Sequence, residues 1–385
     1  HRTYRYRLYP TVEQSHVLDL LLWQGRRMYN AALTQRIAPY QQTGKGPSYV
    51  DQCAYFKEQR TGFSEIYGLL NASSVQQMLR RLAKSFTAFF RRLKQGHKPG
   101  FPRFKARNRF HSLEYRHGDG CKMKYDRQQS RFYVQNVGDI KVKYHRPLPE
   151  EAQLGHVVIK QSLGRCYVCL LVEFPSPKPV EHSGPTVGID IGLKSLLALS
   201  DGTRVDNPRW LRQSLGKLRI AQRRLARRKR GRNRRRKAAF QVAQCHEKVR
   251  QQRLDFWHKL TRFLVQRYSA LGLEDFSLAF MTHNQHLSLS AHDAGLGLFR
   301  QLLDYKAEDA GSQVIAVNAK NTTQACSGGG IVRKTWAMRV HSCPDCERVL
   351  DRDINAARTI KNLALHTLGR SDQASTWADA RPCVA

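Results

Sequence analysis

Three acidic residues of this chain stand out by their local context, and one of them, Asp190, sits where an unpaired carboxylate is costly. Asp190 lies inside the apolar run Val187 to Ile191, and Glu274 closes an apolar run that begins at Ala270. Asp353 opens a stretch that continues Asn355, Ala356 and Ala357. A carboxylate moved from water into apolar surroundings needs hydrogen bonds or a cation in return. Phosphodiester hydrolysis needs a site that activates water and stabilises the leaving oxygen, and two Mg2+ ions about 3.5–4 Å apart do both. Such hard cations take carboxylate oxygens while keeping some of their waters. Each acid also has a plainer reading, as a strand-end turn, a helix N-cap or a surface charge. Sequence alone does not bring the three together.

The charge balance narrows the chemistry. The 385 residues carry 66 Lys+Arg against 30 Asp+Glu, a formal net charge of +36. So large an imbalance repels itself unless a polyanion neutralises it, and nucleic acid is the obvious one. An anionic membrane surface is the rival, but no apolar run approaches the roughly 18 residues of a spanning helix. Residues 1–10, with three arginines among tyrosines, do not read as a signal peptide. Nine cysteines are too sparse for a disulfide framework and suit a reducing cytoplasm, with the protein expected on the nucleoid.

The elements that must position these groups follow from periodicity. Residues 3–9 alternate like an exposed-edge strand, Pro10 ends it, and Thr11 with Gln14 predicts a capping box opening a helix to about Ile37. A second helix is expected from Ser73 to Lys94, with Val75, Met78, Leu82, Phe86, Phe89 and Leu93 as its core stripe. Arg80 and Arg81 lie on the remainder, a solvated face or a nucleic-acid contact. From Gly100 to Phe174 short alternating runs predict β structure. Cys166 and Cys169 have CxxC spacing, but on a strand they face opposite ways and read as ordinary strand cysteines. A proline-rich linker (Pro175, Pro177, Pro179, Pro185) precedes an α/β domain. Its strands are expected at Val187–Ile191, Ala270–Glu274 and Val314–Val317, its helices at Leu298–Ala310 and Asp353–Leu365. The tail beyond Gly369 reads as poorly ordered.

Between Arg212 and Lys237 stand fourteen Lys/Arg and no acid. Interleaved Leu215, Leu218, Ile220 and Leu225 predict a docked helix pair rather than a tail. Arg223, Arg224, Arg227, Arg228, Arg230, Arg234, Arg235 and Arg236 are its candidate phosphate contacts.

Gly188-Ile-Asp-Ile-Gly192, Leu273-Glu-Asp275 and Asp351-Arg-Asp-Ile-Asn-Ala-Ala357 resemble the three motifs of the RuvC-like nuclease domain in the TnpB family of transposon-encoded proteins. Tyr6-Arg-Leu-Tyr-Pro10, Gly100-Phe-Pro-Arg-Phe-Lys105, Arg253 to Leu260, Asp304 to Lys306 and Thr322 to Gln324 fit the same family in order. The resemblance implies a multidomain α+β protein: a wedge-like β-barrel with a helical recognition insertion, then an α/β ribonuclease-H-like (RuvC) domain with an inserted zinc-ribbon-like segment. The bounds would be 1–10 and 96–180 for the barrel, 11–95 for the insertion, and 181–320 for the nuclease domain with its basic insertion at 205–262. The ribbon would span 321–349, the last nuclease motif 350–366, and the tail 367–385.

The implied activity is RNA-guided cleavage of double-stranded DNA beside a short adjacent motif, with a guide RNA from the transposon end. Asp190, Glu274 and Asp353 become the metal-binding catalytic acids. Asp351 is passed over because the family's acid precedes x-Asn-Ala-Ala. The family's ribbon has two CxxC pairs, whereas here Gly329 stands where the partner of Cys326 belongs, ahead of Cys343 and Cys346. Tetrahedral zinc takes four Cys or His ligands, so His341 must complete the set or the site is open. A cleavage-deficient RNA-guided repressor and a strand-joining transposase are the alternative readings.

Overall fold

The computed structural model describes residues 1–124, 130–149, 151–175, 182–275, 278–318, 322–333, 335 and 338–369. Pro177, Pro179, Cys383 and the tail beyond Gly369 lie outside these described residues. The chain divides into two units, His1–Ser176 and Pro177–Ala385.

The first unit opens with strand β1 (Arg2–Tyr9), which lies inside a seven-stranded sheet rather than at the edge its alternation suggested. Alternation reports which face is buried, and is silent on whether the strand's two hydrogen-bonding edges are occupied. Tyr4, Tyr6 and Leu8 point into the core, and the Tyr6 hydroxyl donates to the Arg146 carbonyl at 2.8 Å. Helix α1 (Val12–Thr43) starts at the expected capping box, with Gln14 N donating to Thr11 Oγ1 at 3.2 Å and Thr11 N to Gln14 Oε1 at 3.1 Å. It runs past Ile37 and through Pro39 before Gly44 ends it at φ 69°.

Helices α2 (Tyr49–Gly62) and α3 (Ser64–Tyr67) follow, then α4 (Ala72–Lys94). The α4 stripe is buried from Val75 to Phe86 but emerges into solvent by Phe90 and Leu93. Strands β2 (Ser112–Arg116), β3 (Cys121–Lys124), β4 (Arg131–Val134), β5 (Gly138–Lys143), β6 (Gln153–Ser162) and β7 (Arg165–Glu173) complete a sheet in the order β2-β6-β7-β1-β5-β4-β3. A tight turn joins the two end strands, with Gly118 N donating to the Cys121 carbonyl at 2.9 Å, so the sheet is barrel-like and nearly closed. Cys166 is buried in the core and Cys169 faces the other side of β7.

The second unit holds a five-stranded sheet. Strands β8 (Thr186–Ile191), β9 (Ser195–Leu199) and β10 (Arg204–Asp206) form an antiparallel meander. Helices α5 (Trp210–Ala226) and α6 (Asn233–Arg267) then make the expected basic pair. Buried Asp293 caps α5 from outside, accepting from Leu211 N at 2.8 Å and Arg212 N at 3.2 Å. Trp257 of α6 is fully buried, packs against Phe299 with centroids 4.7 Å apart and the rings tilted by 37°, and donates Nε1–H to the Ala294 carbonyl at 2.9 Å.

Strand β11 (Ala270–Asp275) joins β8 in parallel. Short helices α7 (Ala279–His283) and α8 (Ser288–Ala294) lead to α9 (Leu296–Ala310) and then β12 (Gln313–Asn318), parallel to β11. The sheet order is β10-β9-β8-β11-β12. A ribbon of β13 (Val340–Ser342) and β14 (Val349–Asp351) precedes the last helix, α10 (Arg352–Thr367).

Candidate active site and metal centre

Two glycines decide where the carboxylates meet. Gly188 of β8 and Gly272 of β11 are partners in the parallel register, and α10 crosses both. A Cβ at Gly188 would collide with the Ala357 carbonyl and the Lys361 backbone. One at Gly272 would lie 2.8 Å from Ala364 Cβ and 3.2 Å from the Ile360 carbonyl oxygen. The helix can therefore lie directly on the sheet. Asp190 and Glu274 stand two residues beyond these glycines, on the face that α10 covers, because strand side chains alternate. Asp353 stands one helical turn before Ala357, on the side of α10 that meets Gly188. The three acids therefore gather at the carboxyl ends of β8 and β11 and the amino end of α10.

Their electrostatics carry the mark of that crowding. Burial, and then the neighbouring charges of Glu274 and Asp353, push the Asp190 carboxyl up to about 8. Arg352 and the Ile191 N–H pull it the other way without prevailing. Burial also raises Glu274, against a hydrogen bond that the Thr322 hydroxyl donates to Glu274 Oε1. Arg352 donates to Asp353 Oδ1 from Nε at 3.2 Å and from Nη2 at 3.1 Å. Hard oxygen donors with too little cationic relief form the environment a divalent cation stabilises. Asp351 is committed elsewhere: it caps α10 through Asp353 N at 2.9 Å and Ile354 N at 3.3 Å, and pairs with Arg204 Nη2 at 2.5 Å. Thr322 and Arg352 were not singled out as site residues by the sequence, although both sit inside motifs it displayed.

The cysteine loop closes on itself. Ligand atoms of Cys326, His341 and Cys343 all lie within 4.8 Å of one another, and all three residues are buried. Cys346 Sγ lies 3.4 Å from Cys326 Sγ, beside that trio. Gly328 N points at Cys326 Sγ at 3.4 Å, as expected of a turn wrapped around a thiolate. Burial raises the Cys326 thiol to about 12. Burial acts the same way on Cys343, but hydrogen bonds from the Cys346 and Asp345 backbone outweigh it and hold that thiol below its usual value. Gly329 takes φ 105°, a conformation side chains resist, and a Cβ there would meet nothing within 4 Å. His341, brought in by β13, occupies the cluster in place of the missing cysteine. The three-thiol, one-imidazole donor set fits tetrahedral zinc.

The basic residues divide between surface and structure. Arg223, Arg224, Arg227, Arg228, Arg230, Arg234 and Arg236 lie exposed along the α5–α6 hairpin. Arg235 is half-buried, and its Nη1 donates to the Leu225 carbonyl at 2.9 Å and the Arg228 carbonyl at 2.8 Å, closing the turn. In the first unit Arg80, Arg81 and Lys84 line a cleft of about 350 Å3 that also holds Glu114 and His156. Arg81 leans on β2, donating to the Ser112 carbonyl at 3.3 Å.

Comparison with known proteins places this architecture. The OrfB_IS605 family profile, described as a probable transposase, matches residues 169–285, and the Cas12f1-like TNB domain profile matches 297–360. A helix-turn-helix profile from the same OrfB_IS605 group matches residues 1–45, which fold here as β1 and the single helix α1. Over 367 residues the chain is 31% identical to a candidate RNA-guided DNA endonuclease of Streptomyces pristinaespiralis, covering 93% of this chain and 88% of that protein. It is 25% identical over 378 residues to InsQ, a candidate RNA-guided DNA endonuclease of Escherichia coli (strain K12), covering 93% and 91%. In fold it is similar to the mini-RNA-guided endonuclease CRISPR-Cas_phi3, with a TM-score of 0.53 at 9% identity, over 97% of this chain and 93% of that one. In class, then, this is a multidomain α+β protein with the fold of a compact CRISPR effector. The chain belongs to the TnpB family.

Proposed function

We propose that this chain is a transposon's RNA-guided DNA endonuclease. It binds a guide RNA from the transposon end and cleaves double-stranded target DNA beside a short adjacent motif. The observation that carries the reading is the gathering of Asp190, Glu274 and Asp353 over the paired glycines Gly188 and Gly272, in a chain of net charge +36.

Asp190, Glu274 and Asp353 would hold two Mg2+ ions. Bound there, the ions would activate the attacking water and neutralise charge on the leaving oxygen. Thr322 holds the Glu274 carboxylate by its hydroxyl, and Arg352 fixes Asp353. Cys326, His341, Cys343 and Cys346 would hold a structural zinc that shapes the loop before α10. The arginines of the α5–α6 hairpin, together with Arg80 and Arg81, would contact phosphates, while base pairing reads the target sequence. In this reading residues 1–10 and 96–180 are the wedge-like barrel and residues 11–95 its helical insertion. Residues 181–320 and 350–366 are the RuvC-like domain, with the ribbon at 321–349. Among the described residues no helix is long and apolar enough to cross a membrane.

The test is reprogramming. Protein expressed with its transposon end should copurify with an RNA, and a changed guide segment should redirect Mg2+-dependent cleavage to a matching plasmid. Cleavage indifferent to the guide sequence, or joined rather than cut ends, would overturn the reading.

A further inference from the structure

The apolar stripe of α4 does not stop where the core stops. Phe86 is buried, Phe89 is half-buried, and Phe90 and Leu93 are 39% and 53% exposed. Phe101 of the following loop packs edge-on against Phe86 and Phe89, with centroids 5.5 and 5.3 Å apart, yet stays 43% exposed. Phe104, three residues on, is 54% exposed.

This loop is held in place. Asn30 of α1 clasps the Lys105 backbone, accepting from its N–H at 2.8 Å and donating to its carbonyl at 3.1 Å. Lys105 Nζ then lies over the Tyr29 ring, 5.6 Å from its centroid. Phe101 and Phe104 are thus exposed rings on a segment held by ring packing at Phe101 and by the Asn30 clasp on the Lys105 backbone. The segment that carries these rings is cationic in sequence: between Glu65 and Glu114 it has eleven Lys/Arg and no acidic residue.

Exposed aromatic faces among cations on a fixed backbone are what single-stranded nucleic acid requires, since bases stack on rings while phosphates meet Lys and Arg. A second copy of this chain is a poor occupant, because two such surfaces repel each other. A contiguous exposed apolar patch marks an interaction site rather than ordinary surface. We propose that Phe101 and Phe104 form a stacking platform for unpaired bases of the bound guide RNA. This rests on the RNA-guided reading above and adds to it where, and by which contacts, the guide's unpaired stretch is held.

The test uses the full chain stripped of RNA. It compares a fluorescent single-stranded RNA with a fully paired RNA duplex of equal length, for wild type, Phe104→Ala, Phe104→Trp and Phe101→Ala. Phe104→Ala should weaken single-strand binding about 5- to 100-fold. It should leave duplex binding, the salt slope and the melting temperature unchanged, and Phe104→Trp should restore affinity. A 2-aminopurine base in the strand should lose its quenching with Phe104→Ala. Phe101→Ala also removes packing on Phe86 and Phe89, so Phe104 is the deciding position. Equal loss for single strand and duplex, or no loss, overturns the platform. Unchanged RNA affinity with loss of self-association assigns the patch to a second copy instead. Wild type that binds no RNA overturns the RNA-guided reading itself, which a failure at Phe104 alone would not.

Discussion

Asn355 grips the backbone on both sides of Cys326: its Nδ2 donates to the Ala325 carbonyl at 2.7 Å and its Oδ1 accepts from Ser327 N at 3.0 Å. Asn355 is fully buried and stands two residues past Asp353, so one short stretch of α10 supports both the cysteine loop and the carboxylate site. Arg352 makes the second link, bonding Asp353 and donating Nη1 to the Met338 carbonyl at 3.3 Å, just ahead of the strand that carries His341. Asn355→Ala leaves a buried N–H without its acceptor and a carbonyl without its donor, a cost of about 1–3 kcal/mol. The variant should melt several degrees lower and release zinc to a chelator sooner than wild type. Unchanged melting and zinc retention would mean the two sites stand independently.

The cysteine–histidine cluster makes a sharper claim. His341→Ala should lose zinc to a mild chelator that wild type resists, and His341→Cys should keep it. Adding Gly329→Cys to His341→Ala should not restore binding, because φ at Gly329 is 105° and a Cβ there points into open space. Zinc-to-protein ratios after dialysis decide the matter. Full retention by His341→Ala would remove His341 from the ligand set.

The carboxylates predict a pH dependence with a definite sign. Asp190 holds its proton up to about 8 in the folded, metal-free protein, far above the roughly 3.9 of an unfolded aspartate. The native state therefore binds that proton more tightly. The stabilisation is complete below about pH 4 and is lost as pH rises through the folded value. Metal-free melting temperature should fall between about pH 5 and 8. Asp190→Asn should flatten that fall, and Mg2+ should raise the wild type most at the alkaline end. A wild-type profile as flat as that of Asp190→Asn would contradict the assigned crowding.

Much of this was legible because local patterns carry local physics. The capping box at Thr11, the strands around Asp190 and Glu274, and the basic helix pair all follow from residue types over short windows. What failed was information held between distant residues. The alternation of β1 could not reveal that β5 and β7 occupy both its edges. Helix α2 was not anticipated because its buried positions are Phe56 and a polar residue, Gln52, whose amide donates to the Ala32 carbonyl at 2.7 Å, so no apolar stripe announces it. The pairing of Gly188 with Gly272 is a register, which neither strand encodes alone. That register is what lets α10 bring Asp353 to the other two acids.

The α5–α6 hairpin predicts a salt signature. Replacing Arg227, Arg228, Arg230, Arg234 and Arg236 with Gln, while keeping Arg235 to close the turn, should weaken nucleic-acid binding without unfolding the hairpin. For every phosphate that these arginines no longer neutralise, the slope of log affinity against log salt should fall by about 0.7–0.9. An unchanged slope would make this a solvated face only.

The most direct measurement is cleavage of a guide-matched plasmid in Mg2+ by wild type and by the single variants Asp190→Ala, Glu274→Ala, Asp353→Ala and Asp351→Asn. The first three should lose more than about a hundredfold in cutting while still binding guide and target, since they remove metal ligands rather than phosphate-binding cations. Asp351→Asn keeps an oxygen to cap α10 and should cut at a rate near wild type. Wild-type cleavage by Asp190→Ala, or an inactive Asp351→Asn beside an active Asp353→Ala, would contradict the account.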